Sequence, residues 1–162
     1  MGQVRASVRQ ENTSDVNSTK QKKGHIMISY DWSHRKVIKN IRDMLRANGY
    51  AVWMDIDNMG GSSIEAMSQA VEKSHVVLIC MSQKYQESPN CRTEAQYAYQ
   101  MHKNLVALKM ENDYTPSGWL GLIINDGILY DFSGKYAFER KYEELLKRID
   151  VLYDEGRSET ND

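Results

Sequence analysis

The chain has 162 residues, 41% of them hydrophobic, which supplies the apolar material for one packed domain with some tail left over. Its net charge of −1, from 21 basic and 22 acidic side chains with no basic cluster, excludes a nucleic-acid or anionic-membrane surface as the expected function. No apolar run approaches the roughly 18 residues of a membrane helix, and the start shows neither an apolar signal core nor a full myristoylation pattern, so membrane insertion is not expected.

Residues 1–23 are polar, rich in Gln, Asn, Ser, Thr and Lys, and are expected to form a leader or linker. His25-Ile26-Met27-Ile28-Ser29-Tyr30 follows as a short, nearly continuous apolar run, the pattern of a strand buried on both faces. Val37, Ile38, Ile41, Met44 and Leu45 then form one helical stripe that ends at Gly49, placed where a C′ glycine belongs. Residues 50–56 read as a second strand, broken by the turn Asp57-Asn58-Met59-Gly60-Gly61.

Ser62 and Glu65 have capping-box spacing, which predicts a helix with Ile64, Met67 and Val71 as its buried stripe. The third strand is His75 to Met81. Ser88-Pro89 is a helix start with Ser as N-cap and Pro at the first position, and Ala95, Ala98 and Met101 are expected to face inward. Leu105 to Met110 is the fourth strand and Ile128 to Tyr130 the fifth. Phe138, Tyr142, Leu145, Leu146 and Ile149 define a last helix, and residues 151–162 read as a solvated acidic tail.

Alternation of strand and helix across residues 24–150 specifies an α/β domain with a flavodoxin-like parallel sheet of about five strands and helices on both faces. Ligands in such sheets bind beyond the carboxyl ends of the strands, where the winding direction switches. Tyr30, Asp31, Trp32, the Asp57–Gly61 loop, Ser82, Gln83 and the helix from Ser88 fall there. Cys80 lies in an apolar run, where a buried inert thiol is expected, and neither it nor Cys91 has metal-ligand spacing, so a reducing, cytoplasmic compartment is expected. Histidines 25, 34, 75 and 102 also lack ligand spacing, and no metal site is expected.

Three boxes in this crevice carry a resemblance. Ile28-Ser29-Tyr30-Asp31 resembles the opening box of the Toll/interleukin-1 receptor (TIR) domain family. Gly49-Tyr50-Ala51-Val52-Trp53-Met54-Asp55 resembles its second strand, and Ser88-Pro89-Asn90-Cys91-Arg92-Thr93-Glu94 its Ser-x-Trp-Cys-x-x-Glu helix signature. The order and spacing agree over residues 24 to 150. The resemblance implies the TIR fold and two possible functions. Some members cleave NAD+ at the nicotinamide–ribose bond, depend on self-association, and act in innate-immune or cell-death signalling. Others are non-catalytic adaptor modules that signal by homotypic TIR–TIR contact.

In the NAD-cleaving members the signature glutamate is essential, and it corresponds to Glu94. One carboxylate is chemically sufficient. Nicotinamide in NAD+ is a cationic pyridinium that leaves as a neutral base, so the general acid of an ordinary glycosidase is unnecessary. What remains is to stabilise an oxocarbenium ribose, which a preorganised carboxylate does electrostatically. Glu94 reads equally as a partly exposed helix-start glutamate favoured by the helix dipole.

On the same resemblance NAD+ is a substrate rather than a cofactor, and no cofactor is implied. The expected binding residues are Tyr30, Asp31, Trp32, Asp57, Gly60, Asn90 and Tyr114, with Trp32 favoured for stacking and Tyr30 for the core. Tyr114 stands where one NAD-cleaving member places a ring that completes a neighbouring subunit's pocket. Asn90 replaces the signature tryptophan. Asp31 and Trp32 stand where arginines occur in that member, which leaves Arg35, Lys36 or backbone N–H groups to hold a pyrophosphate.

Overall fold

The computed structural model describes residues 23–55, 63–124 and 127–158. The strands are β1 (His25–Ser29), β2 (Val52–Met54), β3 (Ser74–Met81), β4 (Asn104–Lys109) and β5 (Leu129–Asp131). The helices are α1 (Arg35–Ala47), α2 (Ile64–Glu72), α3 (Gln83–Glu87), α4 (Pro89–Gln100), α5 (Gly118–Ile123) and α6 (Phe138–Ser158), with a short 3-10 turn at Trp32–His34. All strand pairs are parallel, in the order β2-β1-β3-β4-β5, so the chain winds one way from β1 to β2 and the other way from β3 onward. The winding reverses between β1 and β3.

Period-two alternation along the central strands splits the interior into two cores. Ile26, Ile28, Val76, Leu78, Cys80, Val106 and Leu108 face α1 and α6, where Ile38, Ile41, Leu45, Tyr142, Leu145 and Ile149 meet them. Met27, Val77, Ile79, Met81 and Ala107 face the other layer, built from α2 to α5 with Ala70, Val71, Tyr85, Cys91, Ala95, Ala98 and Leu120. Burial on both faces explains why the strands read as continuous apolar runs.

Local sequence sets most of the helix ends. Gly49 follows the Asn48 C-cap of α1 with φ +91°, a conformation that glycine adopts without a Cβ clash. Ser88 caps α4 by accepting from the Cys91 N–H at 3.2 Å, with Pro89 at the first position.

Several expectations need correction. The N-cap of α2 is Ser63, which accepts from the Ala66 N–H at 3.1 Å, so the Ser62–Glu65 capping box does not form the start; Ser62 lies outside the described residues. Its buried stripe begins at Met67, whereas Ile64, one turn earlier, is 82% exposed. Met101 is the α4 C-cap and points to solvent, because the chain leaves the helix through His102 at φ 57°. The boundary at residue 150 falls inside α6, which continues to Ser158. Leu152 and Tyr153 are buried there, and the Tyr153 hydroxyl donates to the Gly24 carbonyl at 2.9 Å, tying the helix to the entry of β1. The leader expected at 1–23 lies almost wholly outside the described residues. Helices α3 and α5 are additional to the elements that the residue pattern predicts.

Candidate active site

Glu94 is placed by α4, whose inward stripe is Cys91, Glu94, Ala95 and Ala98. The i, i+3, i+4, i+7 spacing puts the carboxyl on the face that packs against the sheet. Glu94 is 7% exposed, so the expectation of a partly solvated side chain does not hold. Its nearest polar partner comes from the end of β1. Ser29 shares the parity of Met27, so its side chain faces α4, and its Oγ donates to Glu94 Oε2 at 2.8 Å. The Tyr85 hydroxyl, from α3, lies 2.7 Å from the same Ser29 oxygen. Ser29 and Tyr85 are completely buried.

Burial pushes the Glu94 carboxyl up from 4.5 to about 7; the Ser29 hydrogen bond opposes that rise and the Asp55 carboxylate adds to it. Asp55, just past β2, has its own carboxyl raised by burial. The thiol of Cys91 is kept protonated by the same physics. Burial raises it to about 12, and its Sγ rests 3.5 Å from the Tyr30 carbonyl. Cys80 is likewise free and buried.

Glu94 lines a cavity of about 590 Å³ between α2 and α4. Ile64, Met67 and Val71 give it an apolar wall from α2, and Thr93, Gln96 and Tyr97 line the α4 side. Such a volume is in the range of small-molecule sites.

The other expected residues scatter around this centre. Tyr30 follows Ser29 in the chain but packs in the opposite core, against the α1 and α6 layer. Asp31 is committed to structure: its carboxylate accepts from the Ser33 N–H at 3.1 Å, from the Ser33 hydroxyl, and from the Ser82 hydroxyl at 3.1 Å, which ties the end of β1 to the end of β3. Trp32 is 62% exposed, with the Arg35 guanidinium 5.5 Å from its ring centroid. Asn90 is exposed on the first turn of α4. Asp57 and Gly60, with the rest of the 57–61 loop, lie outside the described residues.

Tyr114 is not a free ring. It is buried in its own chain's core, its hydroxyl donates to Gln86 Oε1 at 2.6 Å, and it borders a separate cavity with His34, Gln83 and Glu111. Ser29, Tyr85 and Asp55 are the site residues that the sequence reading passed over. Ser29 carried a usable signal, since it alternates with Met27 on a strand whose other positions are apolar. Among the described residues no group of three His, Cys, Asp or Glu side chains is arranged to hold a metal, and no helix is long and apolar enough to cross a membrane.

A doubly wound parallel sheet with a glutamate buried under the switch-point end of β1 defines an α/β module of flavodoxin-like winding. The chain belongs to the TIR domain family, whose model matches residues 26–146. The fold is shared with the TIR domain of the Toll-related receptor TRR-2 from Hydra magnipapillata, at TM-score 0.62 and 17% identity over 77% of this chain and 97% of that one. The TIR domains of the activated Roq1 resistosome, a complex that recognises the pathogen effector XopQ, match at TM-score 0.59 and 17% identity over 78% and 99% of the two chains. The RPS4 and RRS1 TIR domain heterodimer matches at TM-score 0.53 and 16% identity over 80% and 98%. No curated protein matches by sequence.

Proposed function

We propose that this TIR domain is an NAD+ glycohydrolase that cleaves the nicotinamide–ribose bond, with Glu94 as its catalytic carboxylate. The observation that carries the reading is a buried acid, Glu94, fixed by a hydroxyl donor and facing a cavity of ligand size whose other acid, Glu72, is exposed. In that cavity the ribose C1′–N bond breaks with both electrons passing to the pyridinium nitrogen, so nicotinamide leaves neutral. The positive charge that develops on the ribose faces the Glu94 carboxylate. Burial of Glu94 strengthens this attraction, since the side chain itself is largely shielded from bulk water. Water then adds its oxygen to C1′ and releases a proton, giving ADP-ribose.

The reading includes assembly. Ile64 is an apolar residue left 82% exposed at the rim of the Glu94 cavity, and a second TIR domain covering it would close the cavity to water. RPS4 and RRS1 TIR domains form a heterodimer, and a similar association is proposed here between copies of this chain. The role then belongs to innate-immune or cell-death signalling.

The test is purified protein incubated with NAD+, dilute and clustered on beads, with nicotinamide release monitored against a Glu94→Gln control. Release by the parent and not by the variant supports the reading. If even the clustered parent releases none, the chain is a non-catalytic TIR interaction module.

A further inference from the structure

We propose that Ser29 is the positioning residue of this site: with Tyr85 behind it, its hydroxyl forms a directed hydrogen-bond chain that aims the Glu94 carboxylate and holds it as an acceptor. The proposal rests on the reading of Glu94 as the reactive group, but its principal test does not.

The direction follows from counting protons. A hydroxyl donates one hydrogen bond. Ser29 spends its proton on Glu94 Oε2 at 2.8 Å, so the 2.7 Å contact with Tyr85 requires the Tyr85 hydroxyl to donate to Ser29. Burial keeps the Tyr85 phenol protonated, since its ionisation is pushed well above the usual range. The chain therefore runs from Tyr85 to Ser29 to Glu94, and it ends on an accepting carboxyl oxygen, an arrangement that suits the ionised form best.

The reverse polarity is poorly terminated. If Glu94 carried a proton and donated it to Ser29, the Ser29 proton would turn to the Tyr85 oxygen. Tyr85 would then have to donate to the Cys91 carbonyl, which lies 3.5 Å away, the far limit of a hydrogen bond. Ser29 and Tyr85 are completely buried, so no solvent molecule repairs the loss at that end of the chain. The geometry thus favours the charged form of Glu94 in a place where burial disfavours it.

Among the other titratable groups near this chain none favours ionisation of Glu94, and Asp55 opposes it. Asp55 acts on Glu94 from beyond β2, and Cys91 on α4 and Cys80 on β3 neighbour Tyr85. Asp31 acts on Cys91, and Glu72 and Tyr97 line the same cavity as Glu94. None of these is a cation, so the Ser29 donor is the local element that favours the carboxylate.

The experiment measures unfolding free energy in urea from pH 4.5 to 9 for the parent, Ser29→Ala, Ser29→Thr and Tyr85→Phe, each with and without Glu94→Gln. The difference between the two members of each pair isolates the titration of Glu94. Ser29→Ala should move that titration about one pH unit upward, the order expected for losing a hydrogen bond to a charged acceptor. Tyr85→Phe should move it in the same direction by less, and Ser29→Thr, which keeps the hydroxyl, should leave it in place. A midpoint unmoved in both Ser29→Ala and Tyr85→Phe overturns the proposal, and Tyr85→Phe alone decides it if Ser29→Ala does not fold. A parent that cleaves no NAD+ defeats the enzymatic reading and leaves this result standing. If NAD+ is cleaved, the midpoint of kcat/KM against pH should follow the same shifts, which a merely structural role for Ser29 would not produce.

Discussion

Replacing Glu94 by Gln separates the catalytic role of this side chain from its structural cost, because the two change in opposite directions. Gln keeps the volume and accepts the Ser29 hydrogen bond, but it removes the charge. In the folded parent the carboxyl titrates near 7 against 4.5 for a free glutamate, chiefly because burial disfavours its charge. Between those values the folded state keeps a proton that the unfolded chain has released. The stability from this group is therefore fully present below pH 4.5 and is lost as pH rises through 7. The span corresponds to about 3 kcal/mol. At pH 4.5 parent and variant should be nearly equal in stability, and by pH 8 the Gln variant should be more stable by about 2–3 kcal/mol. Urea unfolding followed by tryptophan fluorescence measures both states. The same variant should lose about 10²–10³ in nicotinamide release, the usual cost of removing one preorganised electrostatic group. Stability curves for parent and variant that run parallel from pH 4.5 to 8 would refute a buried, shifted Glu94. A variant that gains stability yet cleaves NAD+ at the parental rate would refute its catalytic role.

The parental kcat/KM should rise through a midpoint near pH 7, since the carboxylate is the working form, and a flat profile between pH 6 and 8 would contradict this assignment. Specific activity should increase with protein concentration, and Ile64→Glu at the exposed cavity rim should abolish that increase with stability within about 0.5 kcal/mol of the parent. Light scattering across the same concentration range checks whether association accompanies the gain. Truncation after Asp150 should cost about 3–5 kcal/mol in urea unfolding, because it removes buried Leu152 and Tyr153 and the hydrogen bond to Gly24.

The architecture and most of the element ends are legible in the residue pattern, since these depend on local chemistry. Strands buried on both faces must be continuously apolar, α1 must end near Gly49, and Ser88-Pro89 must open a helix. The burial of Glu94 was legible too, because it shares a helical stripe with Cys91, Ala95 and Ala98. The winding rule, which places the helix from Ser88 at the ligand crevice, points instead to a partly exposed side chain. The continuation of α6 past residue 150 was similarly present in the spacing of Ile149, Leu152 and Tyr153, but the charged residues around them read as a tail. Helices α3 and α5 span only 83–87 and 118–123, less than two turns each, and periodicity cannot register them. The environment of the site, by contrast, follows from long-range packing. Ser29 and Glu94 are 65 residues apart, and Tyr85 reaches Ser29 across 56. No local preference specifies such pairings, which arise when β1 and β3 pair and α3 and α4 close over their ends. The same packing buried Tyr114 in its own chain and used the Asp31 carboxylate to join two strands. A carboxylate's charge, aim and reactivity depend on what excludes water from it, and that is settled by the elements packed around it rather than by the residues beside it in sequence.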